Sequence, residues 1–193
     1  MIGGAVIGTL LGIVAAYNEG SIDALLMGAV DALVGLPVIL FALLFSVTLG
    51  PGFQPLVMAL ILISWASYAR VVRSEALGLK HREFFEAARA LGAPWPRIVF
   101  RHLWPNVEPT VIVLATSQVG FVVVAEAALS FIGAGIPPLA PAWGSMIAAG
   151  REYLVQGWWI SLFPGLAIVT FVLAVNATGE WLRERSDPRL LRR

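Results

Sequence analysis

The 193-residue sequence contains no cysteine. A disulfide framework, a thiolate metal site and a cysteine nucleophile are therefore excluded. Charge is also scarce: 13% of residues are Asp, Glu, Lys or Arg, where soluble domains carry about 25%. So little charge could not cover a soluble surface. Histidine occurs only at His81 and His102, with neither H-E-x-x-H spacing nor clustered ligands to suggest a metal site. A serine nucleophile wants a base nearby, and no apolar segment pairs a serine with a histidine or lysine, so an intramembrane hydrolase is unsupported. There is no G-x-x-x-x-G-K-[ST] loop to cradle nucleotide phosphates. The opening MIGGAVIG lacks the positive n-region of a cleavable signal peptide.

What remains is apolar. Hydrophobic residues make up 59% of the chain, and mean hydropathy is +0.84. Residues 32–69, between Asp31 and Arg70, include no Asp, Glu, Lys or Arg. One membrane helix needs about 20 apolar residues, so this run holds two, with Gly50-Pro51-Gly52 as the turn. Further charge-free runs cover 1–18, 109–125, 127–150 and 153–179. They predict five spans, at about 2–17, 30–49, 54–73, 107–132 and 158–180. A soluble all-α core would leave these helices apolar on every face with nothing to wet them. The expected fold is an all-α polytopic membrane bundle, a single domain over 1–193.

Lys and Arg are retained on the cytoplasmic side of a membrane. Arg70, Arg73, Lys80, Arg82, Arg89, Arg97 and Arg101 lie in one central segment, and Arg183, Arg185, Arg189, Arg192 and Arg193 in the tail. Arg151 stands alone between the last two spans. The central loop and C-terminus are therefore expected in the cytoplasm, with the 133–157 loop and the turn at Gly50 outside. The Tyr17–Asp23 link falls inside and Met1 outside, an awkward start that suggests a preceding helix.

The central segment contains EFFEAARALGAPWPRIVFRHLWPN, residues 83–106. Leu77, Phe84, Ala88 and Leu91 recur at helical spacing, leaving Arg82, Glu86 and Arg89 on other faces. Gly92 follows where a left-handed C-cap favours glycine, and Pro94 and Pro96 prevent continuation. This predicts a short amphipathic helix, an extended return, and a new span beginning at Pro105-Asn106 with Glu108 near its N-terminal dipole. Such a helix can lie on lipid headgroups or dock into another protein's groove; its chemistry alone leaves both open.

Glu86-Ala87-Ala88, Gly92 after three intervening residues and Pro105 thirteen beyond that resemble the EAA signature of ABC importer permeases. EAARALGAPWPRIVFRHLWPN is similar to the dipeptide/oligopeptide (and nickel) branch. So are Ser130-Phe131-Ile132-Gly133-Ala134-Gly135, Pro137-Pro138, Pro141-Ala142-Trp143-Gly144, Gly150-Arg151-Glu152-Tyr153-Leu154, Phe163-Pro164-Gly165-Leu166 and Asp187-Pro188-Arg189. The resemblance covers nearly the whole chain. It implies a type I importer permease in a prokaryotic inner membrane, with no ATPase activity and no cofactor of its own. Residues 77–105 would form the coupling segment, seated in a cytoplasmic ATPase. Glu86 and Arg89 would make polar contacts, Phe84, Phe85 and Leu91 apolar ones, and Gly92 the tight exit. The implied partners are a homologous permease, two ATPase subunits, an extracytoplasmic substrate-binding protein and membrane lipid, with no nucleic acid. Cargo would be peptides, or nickel or another small solute. The resemblance also implies one more span before this chain's start. A non-transporting scaffold is the rival of another class.

Other residues carry two readings each. Gly4, Gly8 and Gly12 form overlapping GxxxG units, for packing within the chain or against a partner permease. Asp31 and Glu126 are costly against lipid and should face the bundle or an interface. Asp31 suits the cytoplasmic end of the second span, and Glu126 a bond inside the bundle or a place in the pathway. Pro37 and Pro164 are kink candidates, and Trp158 and Trp159 suit an aromatic belt. Ile136, Pro137, Pro138, Pro141 and Trp143 would form a binding-protein platform or a rigid re-entrant loop.

Overall fold

The computed structural model describes residues 2–18, 20–50, 52–133, 135–136 and 140–186. Met1, Pro51, Ala134, Pro137, Pro138, Asp187-Pro188-Arg189, Arg192 and Arg193, all invoked above, lie outside the described residues. The helices are α1 (Ile2–Asn18), α2 (Gly20–Val34), α3 (Val38–Leu49), α4 (Phe53–Lys80), α5 (Glu83–Ala90), α6 (Trp95–Ile98), α7 (Trp104–Ile132), α8 (Trp143–Gly150) and α9 (Trp159–Ser186). No strand occurs among the described residues.

Phe53–Lys80, Trp95–Ile132 and Trp159–Arg185 are each long and apolar enough to cross a membrane, and α1 is a shorter apolar helix. The expected span at 30–49 is instead a broken one. Helix α2 ends at Val34 and α3 begins at Val38, because Pro37 has no N–H and its ring crowds the preceding turn. Pro37 becomes the N-cap of α3. Pro164, by contrast, lies inside an uninterrupted α9. The third span does not stop near residue 73 but runs on to Lys80. At 1.5 Å per residue its 28 residues reach about 42 Å, beyond the roughly 30 Å of hydrocarbon.

The expected extended return after Gly92 is also corrected. Pro94 caps α6, and Pro96 occupies its first turn, where proline's missing N–H removes no helical bond. A wider π-helical turn, Val99–Leu103, then leads directly into α7. It accommodates Pro105, which would otherwise crowd a carbonyl one turn back. The prolines that stop one helix therefore start the next.

Two compact units are distinguished by their internal contacts. The first comprises Met1–Gly35, Ile63–Ala115 and Glu180–Arg193. Here the glycine face of α1 packs within the chain, against α4. A Cβ on Gly12 would lie 2.6 Å from the Ala69 carbonyl oxygen, and one on Gly8 2.6 Å from Tyr68 Cβ. That close approach buries Ile13 and Ala16 with Val72, Ala76, Leu79, Phe85, Ile98, Val99, Leu103 and Val107. The second unit comprises Leu36–Leu62 and Thr116–Gly179. Its core is Ala42, Leu56, Ala59, Leu60, Ala125 and Leu129, and α8 approaches α7 where a Cβ on Gly144 would meet Ala127 Cα at 2.6 Å.

Candidate coupling site

Helix α5 is only eight residues long, so its ends matter as much as its faces. At its C-terminus Gly92 has φ 73°, a conformation that costs other residues about 1–2 kcal/mol. The Gly92 N–H donates to the Arg89 carbonyl at 2.9 Å, and the Ala93 N–H to the Ala88 carbonyl at 3.1 Å. This is a Schellman cap, which satisfies carbonyls that the helix leaves without partners. Glu83 and Glu86 lie in the first turn and Arg89 in the last, each on the favourable side of the helix dipole.

The buried face differs from the predicted one. Phe85 is 0% exposed and Ala88 is buried beside it, whereas Phe84 is 40% and Leu91 86% exposed. Leu77 belongs to α4. Phe85 fills the chain's own core with Val72, Ile98 and Leu103, so it holds α5 from beneath and offers no surface to a partner. Its expected role as a docking contact is withdrawn on that ground. Glu86, Ala87, Arg89, Ala90 and Pro105 are exposed. Phe84, Ala87, Leu91 and Gly92 line a groove of 570 Å³ together with Arg97, Arg101 and His102. The Phe84 and His102 rings lie 6.1 Å apart. An apolar strip with a basic margin thus stands on a rigid, capped helix.

The support behind this helix was only partly visible in the sequence. Arg70, Arg73 and Lys80 count as topology markers there, but in the fold each finds a partner. Arg73 Nε and Nη2 donate to the two carboxylate oxygens of Asp23. Arg70 Nη2 donates to Asp31 Oδ1 at 2.6 Å. Lys80 Nζ donates to the carbonyls of Ala16 at 2.7 Å and Tyr17 at 3.2 Å, at the negative end of α1. Tyr17 in turn meets the edge of Trp95, with centroids 5.9 Å apart. Asp31 is thus held by Arg70 although its side chain is 70% exposed. The signal in the sequence is two acids in α2 and three bases in α4, within largely apolar helices.

In the second unit Glu126 accepts a hydrogen bond from Ser130 Oγ at 2.6 Å and lines a cleft of 380 Å³. The hydrogen-bonded reading of this residue describes its partner within α7. Trp158 and Trp159 pack edge to face at 5.8 Å, and Arg151 lies over Phe131 at 5.6 Å. The 133–157 region contains the short helix α8, whose first residue is Trp143.

These features describe an all-α chain of long apolar helices, with a broken span and a capped helix between two spans. A chain of the MetNI methionine ABC transporter, in an inward-facing form, superposes with a TM-score of 0.76 over 96% of this chain and 88% of that one. At 21% identity the likeness concerns the fold alone. Residues 8–192 match the model of the binding-protein-dependent transport system inner membrane component family, and the chain belongs to that family. A Brucella suis biovar 1 (strain 1330) protein, provisionally named a peptide transport system permease, is 43% identical over 186 residues, 96% of this chain. The glutathione transport system permease protein of Pectobacterium atrosepticum is 37% identical over 187 residues, 97% of this chain. The chain spans 62% of the length of each of these relatives.

Proposed function

We propose that residues 1–193 act as one permease domain, forming half of the pathway of an ATP-driven, binding-protein-dependent importer for short peptides. The supporting observation is α5: a helix closed by Gly92 at φ 73°, anchored internally by Phe85 and carrying Phe84 and Leu91 outward. Anchoring on one side and exposure on the other suits a lever that receives force and passes it to α4 and α7. In this reading residues 77–105 and the C-terminus lie in the cytoplasm, as the basic residues favour. Two ATPase subunits close on ATP and move this coupling helix and that of a homologous permease. A substrate-binding protein delivers cargo at the 133–157 face. Glu86, Ala87, Arg89 and Leu91 meet the ATPase, while Phe85 and Ala88 transmit the motion inward. Peptide cargo is favoured by relatives named for peptide and glutathione transport.

The absence of cysteine makes the test direct. A single cysteine at exposed Ala90 should crosslink to a cysteine in the ATPase cleft, with a yield that changes when ATP is added. A complex shown to assemble, yet giving no crosslink from this position, would return α5 to the lipid surface and revive a scaffold role.

A further inference from the structure

Glu126 is the lone ionisable residue between Glu108 and Arg151 in sequence, and the fold places it in a cleft with no salt bridge to any of the described residues. The other cleft-lining residues are uncharged, among them Val122, Val123, Trp143 and Met146. Ser130, itself only 6% exposed, sits one turn along α7. The Ile136 N–H donates to Ser130 Oγ at 3.2 Å, and the Ser130 hydroxyl donates onward to Glu126 Oε1 at 2.6 Å. A backbone donor thus directs the serine proton toward the carboxylate. One carboxylate oxygen is oriented, and among the described residues none bonds the other. The indole of Trp143, 38% exposed, offers a π face that attracts cations.

We propose that this cleft binds the primary ammonium group of a small solute, with Glu126 as its charge partner, Trp143 as its aromatic wall and Ser130 as a positioning residue. Carboxylates within membrane spans are expensive unless paired, and an ammonium supplies both charge and several hydrogen-bond donors. A hard divalent cation is a poorer fit, because it wants six or more oxygen ligands. Among the described residues no group of three or more His, Cys, Asp or Glu side chains could hold a metal ion. The 380 Å³ cleft falls in the usual range for small-molecule sites, about 300–1,000 Å³. The proposal deepens the peptide-importer reading and rests on it for physiological cargo: the free amino terminus of a short peptide is the ammonium that would enter.

The probe is dialanine, with N-acetyl-dialanine as its uncharged-terminus counterpart, and the full chain is held in lipid nanodiscs. Equilibrium binding of labelled dialanine should weaken roughly tenfold in Glu126→Gln, the equivalent of about 1.4 kcal/mol, and N-acetyl-dialanine should not compete. Dialanine should also slow carbodiimide labelling of Glu126 while leaving labelling of the exposed Glu86 unchanged. Unchanged binding in Glu126→Gln, competition by the acetylated peptide, or no dialanine binding at millimolar concentration would each overturn the site. ATP-driven uptake by the assembled transporter is measured separately. Binding at Glu126 without uptake of any peptide refutes the importer reading alone, whereas uptake indifferent to Glu126→Gln refutes the site alone.

Discussion

Replacing Gly12 by alanine tests a close approach of α1 to α4 against a built-in control. Alanine stabilises a helix interior by about 0.8–1 kcal/mol relative to glycine, wherever space permits. At Gly28, in the interior of α2, a new Cβ meets nothing within 4 Å, so Gly28→Ala should keep most of that gain. At Gly12 the same methyl would sit 2.6 Å from the Ala69 carbonyl oxygen, 3.1 Å from Val72 Cβ and 3.2 Å from Ala69 Cα. Two of those three atoms are backbone, which cannot rotate away, so α1 must back off from α4. Overpacking of this kind costs about 1–3 kcal/mol, which outweighs the propensity gain and leaves Gly12→Ala destabilised by about 0–2 kcal/mol. The two variants should differ by about 1–3 kcal/mol in reversible unfolding of the purified chain in mixed micelles. Neither glycine has positive φ, so backbone strain does not enter the comparison. If both variants were stabilised equally, α1 would not pack on α4 through this face.

Further predictions concern the coupling helix and its support. Gly92→Asp should abolish ATPase coupling while the chain still inserts in the membrane, and Gly92→Asn should retain more coupling because asparagine tolerates the left-handed conformation; normal transport by Gly92→Asp would refute this role. Phe85→Ala should destabilise the chain by about 3–5 kcal/mol, whereas Phe84→Ala should leave unfolding unchanged within about 0.5 kcal/mol and weaken ATPase co-purification. A double-mutant cycle on Asp23 and Arg73, whose side chains are 16% and 28% exposed, should give a coupling energy of about 1.5–3 kcal/mol for its charged, two-pronged bond. The same cycle on the more exposed Asp31 and Arg70 should give under about 1 kcal/mol. Equal values for the two pairs would contradict the geometry described for them.

Several features were legible because they depend on neighbours along the chain. Long uncharged runs specify helices that only lipid or protein can cover, and residue 132 ends α7 as the hydropathy indicated. Gly92 after an amphipathic stretch marks a left-handed cap without reference to any distant residue. Pro37 is recognisable as a kink, since the lost N–H is a local fact, but the complete break between α2 and α3 is not. That Pro94 and Pro96 stop one helix is local chemistry, whereas their starting the next is not legible locally, because proline disfavours a helix interior and suits a first turn equally well.

By itself, then, the sequence determined the all-α membrane character, the GxxxG face, the capped helix and the family resemblance. The tertiary structure alone decided that Phe85 rather than Phe84 turns inward, since a one-residue rotation of a short helix is settled by what lies beneath it. It also decided that Asp23 and Asp31 neutralise Arg73 and Arg70, and that Lys80 closes the end of α1. Those partners lie 39 to 64 residues apart. Hydropathy and capping describe each segment in its own surroundings, whereas which acid meets which base depends on two segments being brought side by side.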